Sequence, residues 1–381
     1  MKKIIENDRM NDHDCQGVLA VLFASLVTTL DRDIPEGMAP CGEDGRKTGK
    51  PGEPCTHCGG CRTGPKTLRK EAVGAYAGEY SFVSGEVFLL MDLAPVGKSN
   101  DVFADQYFFR YYSDKLDLLD LRTQMDDHIG FLFGYAGYAY ESMKKGEGKE
   151  AIYSRVKASI EAGVPVIMKF APQISNAYAL ITGYDDGGMA LYACDGTNDG
   201  SYLRAGWTAD WYERLDRAYI PGEKCGPTAT IEDAFARGAM IMKPIFEGGI
   251  YKKAIEYVKD NKNYRKSRGN LAFQARLIHH FIEVPICGRS AACWFSGGAC
   301  ERYEKYRKEF GQIAVWGSEF HNQCWVVWRA AGKYTDHKAA KIRRLADPYY
   351  RRVIAEVLEI CETSDRWIYN ALCDACRVAG K

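Results

Sequence analysis

The chain has 381 residues, 46 % of them apolar and 27 % charged, with 51 basic and 50 acidic side chains giving a net charge of +1. This is globular composition, and the length admits two hydrophobic cores, because a single core rarely grows past roughly 250–300 residues. Balanced charge supplies no field for nucleic acid or anionic lipid, and no segment approaches the roughly 18 apolar residues of a membrane span, so neither nucleic acid nor membrane is an expected partner.

The run Gly17–Leu30 is too short to span and carries no small-residue cleavage site, so a cytoplasmic protein is expected. Gln16–Leu30 itself reads as a buried helix, nearly all apolar, with Asp14 as its N-cap. Residues 34–64 mix Gly, Pro, Lys and Cys without periodicity, and fold only if something other than a core holds them. Lys66–Leu93 returns to helical spacing, interrupted at Gly78 and at Ser84–Gly85. Ala151–Ala162 predicts an amphipathic helix ended by Gly163, and Pro165 leads into a strand, Val166–Phe170. Tyr178–Thr182 and Met189–Ala193 predict a hairpin about the turn Gly183–Gly188, and Arg217–Ile220 a further strand. Past about residue 230 the strand signal gives way to helical spacing in Glu232–Met242, Lys252–Val258, Leu271–Ile282, Ala299–Phe310, Glu319–Ala331 and Arg351–Val378.

Cys15 stands at the mouth of the first apolar helix, where the positive end of the helix favours thiolate over thiol. A thiol enzyme also needs an imidazole to carry the proton, and usually a third group to orient the ring. The stretches Gly163-Val-Pro-Val-Ile and Tyr178-Ala-Leu-Ile-Thr-Gly-Tyr-Asp-Asp-Gly-Gly, the latter running on to Asp195, resemble papain-like bacterial cysteine domains. The nearest in pattern are the leader-cleaving double-glycine peptidases and the butirosin-type N-terminal acyltransferase domain. Tyr80-Ser-Phe-Val-Ser-Gly-Glu-Val-Phe and the tail Arg366-Trp-Ile-Tyr-Asn-Ala-Leu-Cys-Asp-Ala are also similar to the butirosin-type proteins. The resemblance implies a papain-like fold with Cys15 as nucleophile and Asp195 as orienting acid. The family's histidine falls on Ala177, beside Asn176. Alanine cannot move a proton, and losing a general base costs roughly two to four orders of magnitude in rate. His13 and His128 are the candidates to take its place.

Cys41, Cys55, Cys58 and Cys61 lie within the Gly/Pro-rich segment, with His57 among them. Two-residue gaps let successive thiolates turn toward one ion, and four would close a tetrahedral structural zinc site that gives a coreless loop its shape. The spacing also occurs in iron–sulfur ligation; zinc is preferred because the chain has only one such run. Replacement of Cys41 by His57 as a ligand stays open. Fourteen cysteines without an export signal read as reduced thiols, and Cys287, Cys293, Cys300, Cys324 and Cys361 as small core residues. Cys373 and Cys376 share a face of the last helix, where packing explains them as well as metal does. Trp294, Trp316, Trp325, Trp328 and Trp367 read as helical core. Gly288-Arg-Ser-Ala-Ala and Ser296-Gly297-Gly298 follow no strand, as a phosphate loop would.

The expected fold is therefore α+β: a papain-like domain over residues 1–228 carrying a Cys-rich insert at 34–64, followed by an all-helical domain over 229–381. The expected function is handling of a peptide or small acyl metabolite, as a thiol acyltransferase or amide hydrolase acting through Cys15. The alternative is an inactive binding protein that uses the same cleft and keeps the zinc loop.

Overall fold

The computed structural model describes residues 2–5, 18–30, 76–89, 128–170, 177–195, 204–260, 284–331 and 344–381. They combine antiparallel sheet with helices in an α+β arrangement. They divide into two compact units: 2–5, 18–30, 76–81, 128–170, 177–195 and 204–229 in the first, the remainder in the second. The expected Cys-rich insert lies outside the described residues, as does the helix expected over Leu271–Ile282.

The sheet of the first unit is built from β1 (Lys2–Ile4), β2 (Tyr138–Lys144), β3 (Val166–Phe170), β4 (Ala177–Asp185), β5 (Ala190–Asp195), β6 (Arg204–Thr208) and β7 (Leu215–Lys224). The strands run β2-β7-β3-β4-β5-β6, all antiparallel, with β1 added to the far half of β4. One face is covered by a helix over Lys149–Glu161, whose Ile152, Val156 and Ile160 recur every fourth residue and pack on Val166, Met168, Ile181, Leu191 and Ala218. Its polar flank carries Arg155, paired with Glu141. The helix stops where Gly163 takes a φ of +82°, a left-handed conformation that favours glycine. Trp211, fully buried at the rim, donates from Nε1 to the Met189 carbonyl at 2.8 Å and so ties down the β4–β5 turn.

Ile167, Leu180, Cys194 and Tyr219 alternate with that cluster and form the other face. Here lies α1 (Val18–Leu30), packed on β3 and β4. Leu19, Ala20, Val21, Leu22, Phe23, Ala24, Leu26 and Val27 are all 2 % exposed or less, so the helix is apolar all round because it is covered all round. Phe23 sets edge to face against Tyr80 of the helix at 76–84 and Phe133 of α3 (His128–Ala136), with ring centroids 5.0 Å apart in each case. Numbering in chain order, the 76–84 helix is α2, Lys149–Glu161 is α4 and the short Trp211–Arg214 is α5. Gly78, expected to interrupt the helix, lies inside α2; the interruption falls at Gly85, where φ is +80°.

The second unit comprises α6 (Ile231–Glu247), α7 (Ile250–Lys259), α8 (Val284–Arg302), α9 (Arg307–Ala331) and α10 (Pro348–Ala379). Thr230 and Asp233 close a capping box at the start of α6, the Thr230 amide donating to the Asp233 carboxylate at 2.9 Å. Asp347 caps α10 by accepting from the Tyr349 amide, with Pro348 at the first position, where a missing N–H costs nothing. The apolar centre is aromatic: Phe82 meets Phe295 at 4.8 Å and Phe88 at 5.3 Å, and Phe235 meets Phe310 at 5.1 Å.

The structure changes two details of the helical reading. The predicted single helix Ala299–Phe310 is the junction of α8 and α9, broken by a 3₁₀ turn over Glu304–Tyr306. The tryptophans are not uniformly core: Trp294 is 79 % exposed, and Trp325 and Trp367 about half exposed, at 52 % and 46 %. Helical spacing marks two flanks of a helix and does not say which one is covered. Among the described residues, no helix is long and apolar enough to cross a membrane.

Candidate functional site

The stretch Thr182-Gly183-Tyr184-Asp185 of β4 has a structural role for each of its last three residues. A Cβ on Gly183 would stand 2.6 Å from the Lys3 carbonyl oxygen, so glycine is what lets β1 lie against β4. Asp185 pairs with Lys2 at 2.9 Å and accepts from the Gly187 amide at 3.0 Å, and the lysine beside it holds its carboxyl below the usual range. Tyr184 is fully buried and donates to Glu161 at 2.9 Å; burial, then that carboxylate, pushes its phenol up. Asp186, in the turn, pairs with Lys157 at 2.9 Å and accepts from the Tyr153 hydroxyl at 3.2 Å. The Lys2 pair ties the hairpin to β1, and the contacts to Glu161, Lys157 and Tyr153 fasten it to α4.

Of the residues assigned to thiol chemistry, Cys15 and Asn176 lie outside the described residues, and so does His13. Ala177 opens β4, paired with Phe170 of β3. Asp195 closes β5, paired with Ala179 on one side and Arg204 on the other. The beginning of β4 and the end of β5 therefore share one end of the sheet, and α1 begins three residues after Cys15 on the strands that carry it. His128 opens α3 in the same unit and is 2 % exposed. Cys41, Cys55, Cys58, Cys61 and His57 lie outside the described residues; among those described, no group of three or more His, Cys, Asp or Glu side chains is placed to hold a metal ion.

Sequence reasoning missed a buried polar cluster in the second unit. The Arg289 guanidinium, on α8, donates from Nε to Asp365 Oδ1 at 2.6 Å and from Nη2 to Oδ2 at 2.8 Å. Its Nη1 donates to the carbonyls of Val87 and of Leu89, the latter at 3.1 Å. Tyr251 of α7 donates to Asp365 Oδ2 at 2.7 Å, and Cys361 lies one turn before Asp365 on α10. Arg289 and Asp365 are both 0 % exposed. Burial opposes the charge on Arg289, but the facing carboxylate outweighs it and the guanidinium stays ionised. Burial, then the Asp365 charge, pushes both the Tyr251 phenol and the Cys361 thiol well up, so both stay protonated. Locked protonation states and a satisfied carboxylate suit a structural clasp and not a reaction centre. Gly288 belongs to the same clasp: a Cβ there would lie 2.7 Å from the Val87 oxygen. No local sequence signal marks it, since Arg289 and Asp365 stand 76 positions apart.

No protein-family model matches this chain, and no curated protein matches it.

Proposed function

We propose that the first unit is a papain-like thiol domain that handles a peptide or a small acyl metabolite, with Cys15 forming a thioester to the acyl group and Asp195 orienting the group that serves as base. The observation that carries this reading is α1: a helix buried on every side, laid on the middle strands of an antiparallel sheet, with a cysteine three residues ahead of it. A helix terminus carries about half a positive charge, which favours the thiolate of a cysteine placed at it. The β4–β5 hairpin supports the same reading by bringing residues 177 and 195 to one end of the sheet.

In this proposal Cys41, Cys55, Cys58 and Cys61 hold a structural zinc ion, and the protein is cytoplasmic. With Ala177 in the histidine position, the second reading is a binding protein that keeps the cleft without the chemistry. The two separate by alkylation. The Cys15 thiol of an acyl-transfer enzyme reacts with iodoacetamide near neutral pH faster than a model thiol does, and labels ahead of the chain's other cysteines. A Cys15 no faster than the model thiol removes the enzymatic reading and leaves the binding one.

A further inference from the structure

In the last two turns of α10, Cys373 and Cys376 are free, half-buried thiols three residues apart. Three residues of helix set their Cα atoms about 5 Å apart, from a rise of about 1.5 Å per residue and a radius of about 2.3 Å. Disulfides span about 4.4–6.8 Å between Cα atoms, so the backbone already satisfies the bond. The Cβ atoms of such a pair stand about 5–6 Å apart, against about 3.5–4.5 Å in a disulfide, and must close by about an ångström or more. The helix can yield that distance here because it ends at Ala379, with Gly380 turned to a φ of +76° as its cap.

We propose that Cys373 and Cys376 are a redox-active dithiol, oxidised by a peroxide to a disulfide that loosens the end of α10 and reduced again by a thiol. Cys373, as thiolate, attacks one peroxide oxygen and expels the other as hydroxide, leaving a sulfenic acid. Cys376, whose proton is held up by burial and by the neighbouring sulfur, attacks that sulfur and expels water. Two thiols and one hydrogen peroxide thus give one disulfide and two waters; the sulfurs lose two electrons and the peroxide gains them. A disulfide that strains its helix is easily reduced, as a reversible one must be.

The test uses the full-length protein. Trypsin cleaves after Arg366 and Arg377, so both cysteines fall in one peptide, Trp367–Arg377, with no other cysteine in it. After treatment with a few equivalents of hydrogen peroxide and blocking with iodoacetamide, that peptide is expected unlabelled and two hydrogens lighter, and doubly labelled again after dithiothreitol. In Cys376→Ser, the sulfenic acid on Cys373 is expected to persist and to be trapped by dimedone. A peptide still doubly labelled after peroxide, one oxidised to sulfinic acid, or one linked to a different cysteine overturns the proposal.

Discussion

Arg289 and Asp365 face each other as a two-pronged ion pair with no solvent on either side chain, and the arginine's third nitrogen holds two backbone carbonyls of the segment at 82–89. One side chain thereby satisfies both a carboxylate and two backbone carbonyls of that segment. Removing one charge strands the other. Asp365→Ala is expected to lower stability by about 3–5 kcal/mol, and Arg289→Met by a similar amount, whereas the pair Arg289→Met with Asp365→Leu is expected to recover part of the loss. Urea unfolding of the three variants checks this; a double variant as weak as the sum of the singles would mean that the two residues act independently.

The clasp also fixes how stability responds to alkali. Tyr251 and Cys361 hold their protons above their ordinary values of 10.0 and 9.0, from burial first and the Asp365 charge second. A raised pKa of this kind contributes fully below the unfolded value and is lost as pH rises toward the folded one. These two groups therefore leave stability level from neutrality to about pH 9, then lower it by about 1.4 kcal/mol per pH unit each, Cys361 from about pH 9 and Tyr251 from about pH 10. Tyr251→Phe and Cys361→Ala should each flatten their share of the decline. Unfolding midpoints measured across the alkaline range decide it, and an unchanged slope in both variants would count against either group being held protonated.

Two glycines in neighbouring helices should respond oppositely to the same change. Gly288→Ala drives a Cβ to 2.7 Å from the Val87 oxygen, a backbone atom the clasp holds in place, and should cost about 1–3 kcal/mol. Gly311, inside α9, has nothing within 4 Å of the position its Cβ would take, and Gly311→Ala should stabilise by about 0.5–1 kcal/mol. Melting temperatures of the two variants, taken side by side, test whether the close approach is real.

The cysteine-rich segment makes its own prediction. With Cys41, Cys55, Cys58 and Cys61 as ligands, the purified protein should carry one zinc ion per chain by atomic absorption. Cys58→Ser should release it, and a chelator should lower the melting temperature of the wild-type chain but not of the variant. An iron signal with visible absorption would favour the cluster reading instead.

The parts of the fold legible in the sequence are those whose pattern is local. Val166–Phe170 reads as a strand because Pro165 precedes a short run, Val-Ile-Met-Lys-Phe, that is apolar but for Lys169, and it is one, end for end. The hairpin after it is equally local, although each strand runs further than its apolar core suggests. The strand β2, Tyr-Ala-Tyr-Glu-Ser-Met-Lys, is not legible in the sequence, because it sits at the end of the sheet order with several side chains exposed, and its apolar alternation is broken by Glu141 and Ser142. In β6, Arg-Ala-Gly-Trp-Thr offers still less. Arg289 was illegible for a different reason: a lone arginine in Gly-Arg-Ser-Ala-Ala looks solvated, and only its distant partners make it a core residue.

The clasp has a temporal side as well. Val87 and Arg289 are 202 positions apart, and the whole sheet from β2 to β7 is encoded between them. At about 5–20 residues per second, a ribosome needs roughly 10–40 s to travel that distance. The segment carrying Phe82 and Phe88 therefore emerges long before the helices that will enclose it. A fragment begun at Thr230 would never receive it, leaving Arg289 with donors that have no carbonyls to meet. The helical unit is contiguous in space but not in the gene, and its assembly has to wait for the last third of translation.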